Sequence, residues 1–209
     1  IYAGYKPESK TSKIIMGGSI LGFSMPTFWV GIIFIMVFAV HLGWLPSTGR
    51  GDIGTFLGIN SSLFTLNGLS HVFLPALNLA LFKISSVIRL TRAGTREIIL
   101  QDYITFARSK GLSEKRIVLV HILKNILIPI VTVVGLEFGS LIAFSTVTET
   151  VFAWPGMGKL IIDSIYNLDR PVIVAYLMII VTFFVFLNLI VDILYTFLDP
   201  RVRIKGDSQ

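Results

Sequence analysis

The sequence predicts an all-α, polytopic membrane protein with four membrane-spanning helices. Of its 209 residues, 54% are hydrophobic and only 14% are charged, far below the roughly 25% charged residues of soluble domains. Four apolar stretches are long enough to cross a bilayer, which takes about 20 residues. Basic residues cluster in alternate connections, so the net charge of +6 indicates membrane orientation and argues against nucleic acid as a partner.

The chain begins with a polar segment, residues 1–13, that we interpret as a cytoplasmic linker or helix start. It contains three lysines and a single acid, Glu8. It has neither an initiator Met nor a signal peptide, so we expect a chain truncated at its N-terminus, with spanning segments missing before Ile1. Residues 14–200 are expected to form the transmembrane domain and residues 201–209 a cytoplasmic tail.

The first predicted span covers residues 14–42, where Pro26 predicts a kink that neighbouring helices can tolerate. Residues 43–69 are rich in Gly, Pro, Ser and Asn. We interpret them as an external loop with a short interfacial helix. The second span covers residues 71–90, with Pro75 expected in its first turn, where proline is least disruptive.

The third predicted span covers residues 126–147, where Gly135, Gly139 and Ser140 would allow close helix approach. Residues 148–170 are interpreted as a second external loop, which contains the turn-forming sequence Trp154-Pro155-Gly156. The fourth span covers residues 171–198.

The charge distribution predicts that both ends of this chain are cytoplasmic. Fifteen of the 18 lysines and arginines fall in the two tails and between Lys83 and Lys124, and only Arg50, Lys159 and Arg170 fall elsewhere. On short loops such a bias sets the orientation, with the basic side inside.

A basic segment, residues 101–125, separates the second and third spans. Asp102 can cap a short helix, and Gly111 can stop it by adopting a positive φ. Lys110 would lie at the favourable C-terminal end of that helix. Ser113 can then cap a second helix, which continues into the third span. The short helix has one apolar stripe at helical spacing, formed by Tyr103, Phe106 and Ala107.

Composition alone allows this segment to be an inert, solvated loop. A helix of about nine residues is, however, too short to be stable by itself in water. Aromatic residues on its stripe and a glycine that sets the angle to the next helix are typical of an element that docks in a partner's groove.

The segment DYITFARSKGLSEKRIVLVHILKNILIP resembles the cytoplasmic EAA loop of ABC-importer permeases of the dipeptide/oligopeptide/nickel branch. SMPTFWVGIIFIMVFAVHLGWLPSTG, LPALNLAL, TETVFAWPGMG and LDPRVR resemble that branch in the same order, so the likeness covers nearly the whole chain. Thr105-Phe106-Ala107 stands where the general pattern has Glu-Ala-Ala, and the later proline, Pro129, lies farther from the glycine. These departures weaken the general motif but fit the peptide branch.

The resemblance implies a bacterial or archaeal inner-membrane subunit of an ATP-driven importer, the C-terminal part of a six-helix permease. The loop would hold a coupling helix that contacts cytoplasmic ATPase subunits, and these would bind ATP and magnesium. The other implied partners are a second related permease, identical or different, an extracytoplasmic substrate-binding protein and membrane lipid. The residues that match the coupling region are Asp102, Tyr103, Phe106, Ala107, Arg108, Lys110, Gly111 and Leu112.

The sequence does not distinguish peptide, glutathione-like, nickel or metallophore cargo, all of which occur in the resembling branch. Glu137 lies in the middle of a span, where an ionisable group costs about 2.5–3.5 kcal/mol on insertion scales, and Asn188 is a second polar residue inside a span. Both are candidates for a translocation path, or alternatively for polar packing between helices. Glu137 also leaves open a proton-coupled secondary transporter or channel.

No enzyme signature is present. The chain lacks a G-x-x-x-x-G-K-[ST] phosphate loop, so we expect neither catalysis nor a cofactor in this chain. Its three histidines, His41, His71 and His121, are far apart, and cysteine is absent, so we assign no metal site.

Overall fold

The computed structural model describes residues 1–198, apart from the side chains of residues 136, 138, 142–144 and 195–198. The predicted tail at 201–209 and its three basic residues lie outside the described residues. The helices are α1 (Tyr2–Tyr5), α2 (Lys10–Ser24), α3 (Thr27–Phe34), α4 (Leu66–Ile99), α5 (Asp102–Ser109), α6 (Glu114–Arg116), α7 (Leu123–Val151), α8 (Met157–Tyr166) and α9 (Arg170–Leu198). Two π-helical segments, Ile35–His41 and Ile117–Ile122, extend α3 and join α6 to α7.

The helical membrane architecture predicted from the sequence is confirmed. Three described helices are long and apolar enough to cross a membrane, within Leu66–Ile99, Glu114–Leu141 and Arg170–Leu194. A fourth crossing results if α2 and the segment Thr27–His41 count as one broken span.

The kink predicted at Pro26 is present as a break of the helix, and the two parts, Lys10–Ser24 and Thr27–His41, are bent by 108°. The α-helix ends at Ser24, and a new helix begins at Thr27. Pro26 takes the N-cap position of α3 with an extended backbone, φ −59° and ψ 135°. A proline ring clashes with the carbonyl four residues earlier, so the chain separates here into two helices.

The loop at 43–69 contains a β-hairpin where an interfacial helix was predicted. Strands β1 (Gly54–Phe56) and β2 (Ile59–Ser61) pair antiparallel. The two turn residues, Leu57 and Gly58, both have positive φ, at 50° and 79°. This geometry matches the twist of a hairpin. Before α4 begins at Leu66, the loop has a 3₁₀ turn, Ser62–Phe64, and the side chain of Ser61 accepts a hydrogen bond from the amide of Leu63.

The second span is longer than predicted at both ends. Because α4 begins at Leu66, Pro75 lies inside the helix instead of in its first turn. Proline cannot donate to the carbonyl of His71, so one helical hydrogen bond is lost there. The third and fourth predicted spans lie within α7, which extends to Val151, and α9, which begins at Arg170.

The chain divides into two compact units. Of the described residues, the first comprises 1–22, 84–138 and 184–198. Within it, the hydroxyl of Ser19 donates to the carbonyl oxygen of Ser85 at 3.0 Å and thereby links α2 to α4. Its apolar core lies around α5 and the helix that follows.

The second unit comprises residues 23–83 and 139–183. Asn78 of α4 is buried and donates through Nδ2 to Oγ1 of Thr148 on α7, at 3.2 Å. Gly31 of α3 lies close by, where an added Cβ would be 3.2 Å from the ring of Phe152. In this unit the ammonium of Lys83 donates to the hydroxyl of Ser140.

The close helix approach predicted at Gly135 is confirmed. A Cβ at Gly135 would lie 2.6 Å from a methyl group of Val191, so α7 and α9 are in contact through the glycine. Small residues support such contacts in membranes because close packing takes the place of the hydrophobic driving force.

We expect Gly135→Ala to destabilise the folded protein by about 1–3 kcal/mol, the usual range for overpacking. The measurement is the thermal unfolding midpoint in detergent. Gly18→Ala is the matched control, since Gly18 is also helical but has open space where a Cβ would lie. Equal midpoints for the two variants would contradict the contact. The double variant Gly135→Ala/Val191→Ala should recover part of the lost stability, because the Val191 methyl groups that the new Cβ would meet are removed.

Candidate functional site

The candidate site is the segment predicted to couple to a partner, residues 101–116, which is called the coupling element after that prediction. It connects α4 to the helix leading into the third span. Its first helix, α5, begins with Asp102 in the first turn, where a carboxylate is favoured by the helix dipole. The N-cap residue is Gln101, so the prediction that Asp102 caps the helix was off by one position. Ser113 holds the second N-cap position as predicted, although its side chain makes no capping bond.

The end of α5 is set by a Schellman motif. Gly111 has φ 77°, and its amide donates to the carbonyl of Arg108 at 2.9 Å. The amide of Leu112 donates to the carbonyl of Ala107 at 3.3 Å. These two bonds satisfy the last carbonyls of the helix and require a left-handed residue at position 111. The glycine stop predicted from the sequence is therefore confirmed.

One face of α5 packs against its own chain. Ile104 is fully buried and Ala107 is 6% exposed, and both contact the helix that follows. The other fully or nearly fully buried residues of this core are Ile117, Ile122 and Ile126. Ala107 was predicted to lie on the docking stripe, but it faces inward. Leu112 is half-buried against the same core.

The adjacent face of α5 is exposed and carries the two aromatic residues. Tyr103 is 43% exposed and Phe106 is 60% exposed. The ammonium of Lys110 lies 4.4 Å from the centre of the Phe106 ring, a cation–π contact. Asp102, Arg108 and Gly111 are exposed as well. The residues that a partner could reach are thus brought together on one surface, an aromatic pair bordered by charges.

A polar cluster links the C-terminal end of α5 and the start of α6 to the N-terminal segment. Glu114 accepts hydrogen bonds from the hydroxyl of Tyr5 and from Nε of Arg108, the latter at 3.0 Å. The bond with Glu114 raises the pKa of the Tyr5 hydroxyl and also that of Arg108. A raised tyrosine pKa means that the bond is fully present below the ordinary value of about 10 and is lost as the pH rises through the folded-state value. The hydrogen bonds from Tyr5 and Arg108 also lower the pKa of the Glu114 carboxyl, so the cluster is lost only in acid or strong alkali and is intact at neutral pH.

Two residues that make long-range contacts in the structure were not found from the sequence. Tyr5 lies 109 positions from its partner Glu114, so no local pattern indicated the contact. Asn78, in the second unit, could have been noticed as an amide inside an apolar span, where polar groups usually need a partner.

The two residues predicted for a translocation path lie on α7 and α9. Glu137 is half-buried. Asn188 is also half-buried, and its Nδ2 donates to the carbonyl of Phe184 at 2.9 Å, one turn back on its own helix. In the part of the chain that the structure describes, no group of three or more His, Asp or Glu residues is arranged to hold a metal ion.

We expect Ile104→Ala to open α5, because removing a buried aliphatic side chain costs about 2–5 kcal/mol. Hydrogen exchange of the amides at 102–112 should then accelerate strongly. Phe106→Ala, on the exposed face of the same helix, should change exchange by no more than about twofold. Glu114→Gln should have an intermediate effect, up to about fivefold, as expected of a surface ion pair. Faster exchange in Phe106→Ala than in Ile104→Ala would contradict the assigned faces.

The chain is similar to known transport proteins over nearly its whole length. Residues 1–204 match the family described as binding-protein-dependent transport system inner membrane component. The di/tripeptide transport system permease protein DppB of Pseudomonas aeruginosa is 40% identical over 97% of this chain and 64% of its own length. The dipeptide transport system permease protein DppB of Escherichia coli K12 is 34% identical, over 98% of this chain and 65% of its own length.

A relative from a third organism gives the same result. The oligopeptide transport system permease protein AppB of Bacillus subtilis is 40% identical over 97% of this chain and 62% of its own length. The chain thus spans somewhat less than two thirds of the curated relatives it matches. The matches give no support to a proton-coupled transporter or channel. This chain belongs to the family of binding-protein-dependent transport system inner membrane components.

Proposed function

We propose that this chain forms part of the transmembrane subunit of an ATP-driven importer for peptides or related small solutes. The observation that carries the proposal is an exposed aromatic face on a short helix that is fixed to its own chain by a buried core. A surface of this kind fits a groove on a partner protein. The names of the relatives, which are permease proteins of peptide transport systems, support the peptide class.

The proposed partner of the coupling element is a cytoplasmic ATPase subunit, which would hold ATP and magnesium. Tyr103, Phe106 and Lys110 would contact it, and Asp102, Arg108 and Gly111 would border the contact. Ala107 and Leu112 would serve to position the helix. Since the helix from Glu114 to Val151 is continuous, movement of the docked α5 would be passed to the third span.

Membership of the family supports the remaining proposed partners. A second related permease would complete the translocation path, an extracytoplasmic binding protein would deliver the solute, and lipid would surround the spans. The charge distribution supports cytoplasmic placement of both ends of this chain. Glu137 and Asn188 are proposed to line the path. Unchanged uptake by Glu137→Gln would remove Glu137 from it.

We expect Gly111→Val to uncouple ATP hydrolysis from transport while the protein still inserts in the membrane. A β-branched residue is strained at φ 77°, so the Schellman turn and the orientation of α5 would change. The measurement is solute uptake and ATPase rate of the reconstituted importer, and we expect uptake to fall about tenfold or more. Gly111→Asn is the matched control, because asparagine tolerates this region of backbone space. Coupled transport by Gly111→Val at the wild-type rate would contradict the proposed coupling role of this segment.

A second variant tests the partner surface separately from the backbone. Phe106→Ala should lower the affinity for the ATPase subunit by about tenfold, as expected for an exposed aromatic residue in an interface. Hydrogen exchange of α5 should stay near that of the wild type. Unchanged affinity would show that the ATPase does not dock on this face.

A further inference from the structure

A cavity of about 240 Å³ lies within the second unit, between the first half of α4 and the end of α7. Apolar residues between Val72 and Leu79 form one wall, and Ser145, Thr148, Glu149 and Trp154 form the other. Pockets for drug-sized ligands are larger, roughly 300–1,000 Å³. The cavity therefore has room for the end of a peptide, but not for a whole oligopeptide.

Glu149 is held in place by the turn that follows α7. The backbone amide of Lys159 donates to Oε2 of Glu149 at 2.8 Å, so the carboxylate caps the first turn of α8. Gly156 makes room for this arrangement, since a Cβ there would lie 2.4 Å from the carboxyl carbon. The N-terminal end of a helix favours the ionised form of a carboxylate.

Capping α8 occupies only part of the hydrogen-bonding capacity of the Glu149 carboxylate and does not pair its negative charge. An ionised carboxylate has about four acceptor positions, and the amide of Lys159 takes one of them. The ammonium of Lys159 pairs with Asp163, at 3.1 Å. The described residues that line the cavity include a negative charge and no positive one. A carboxylate in such a wall is stabilised by a cation entering the cavity.

The other lining groups fit a small ammonium ion in preference to a metal ion. A hydroxyl oxygen has two acceptor lone pairs, so the hydroxyl of Ser145 can accept a hydrogen bond from an ammonium that pairs with Glu149. The indole of Trp154, on the same wall, suits a cation–π contact. The apolar wall between Val72 and Leu79 would then face the first side chain of the solute.

We propose that this cavity binds the free α-ammonium group of a peptide, with Glu149 as its counter-charge. The inference rests on the proposed function and adds to it a recognition site for one end of the solute. If Glu149 acts only as a helix cap, Glu149→Gln should be silent, because glutamine keeps an acceptor oxygen for the amide of Lys159. If it acts by charge, the same substitution removes binding.

The test uses the full-length permease in its assembled importer, with Ala76→Cys as a reporter in the cavity wall. This chain has no cysteine of its own, and labelling by a maleimide is read by mass spectrometry on the peptide that carries the new residue. With dialanine at about ten times its apparent Kd, mass action predicts that labelling at position 76 slows about tenfold. N-acetyl-dialanine, which has no ammonium group, should give no protection.

Matched variants separate the site from general effects. Leu168→Cys, an exposed position outside the cavity, should label at the same rate with and without dialanine. Glu149→Gln should abolish protection of Ala76→Cys, whereas Asp163→Asn, which removes an acid from α8, should preserve it. If Ala76→Cys does not assemble, Leu79→Cys on the same wall replaces it.

The outcomes distinguish this inference from the proposed function. Protection that survives Glu149→Gln, or that N-acetyl-dialanine gives equally well, would overturn the inference. Uptake of dialanine without protection at either reporter would also overturn it and leave the proposed function intact. Failure of the wild-type importer to take up dialanine or any other peptide would overturn both.

Discussion

The packing of α5 against the helix that follows it is the contact on which the coupling element depends. Ile104 and Ala107 on one side meet Ile117, Ile122 and Ile126 on the other, and these five residues form a core of the kind found in soluble proteins. Full burial of one such aliphatic side chain contributes about 1.5–3 kcal/mol. A surface cluster such as Tyr5, Glu114 and Arg108 contributes about 0–1 kcal/mol for its ion pair. Packing therefore stabilises the position of α5 more than the cluster does.

The location of this core reflects the two solvents that the chain contacts. Among the candidate spans, only 6% of the most apolar window of Arg170–Leu194 is buried within the protein. Lipid is as apolar as a leucine side chain, so burial there yields little free energy. In the spans, contact is made instead through small residues such as Gly31 and Gly135, and through polar pairs such as Asn78 with Thr148.

Proline and glycine have different effects at different places in this chain. Pro26 separates two helices, whereas Pro75 lies within an unbroken α4, because helical context on both sides can absorb one lost hydrogen bond. At position 111 the backbone has a positive φ, which glycine adopts without strain. At position 156 glycine is needed because a Cβ would occupy the space of the Glu149 carboxylate. The same residue type thus acts through backbone freedom in one turn and through the absence of a side chain in another.

The sequence by itself determined the features that depend on a few neighbouring residues. These include the apolar lengths of the spans, the stop at Gly111 and the continuity of the helix from Glu114 into the third span. The tertiary structure alone decided which face of α5 is buried, since Ile104 and Phe106 are both apolar and lie two positions apart. It also decided the hairpin at 54–61 and the contact of Tyr5 with Glu114. Local propensity acts over about one helical turn, whereas these features depend on residues brought together by packing, which no short pattern encodes.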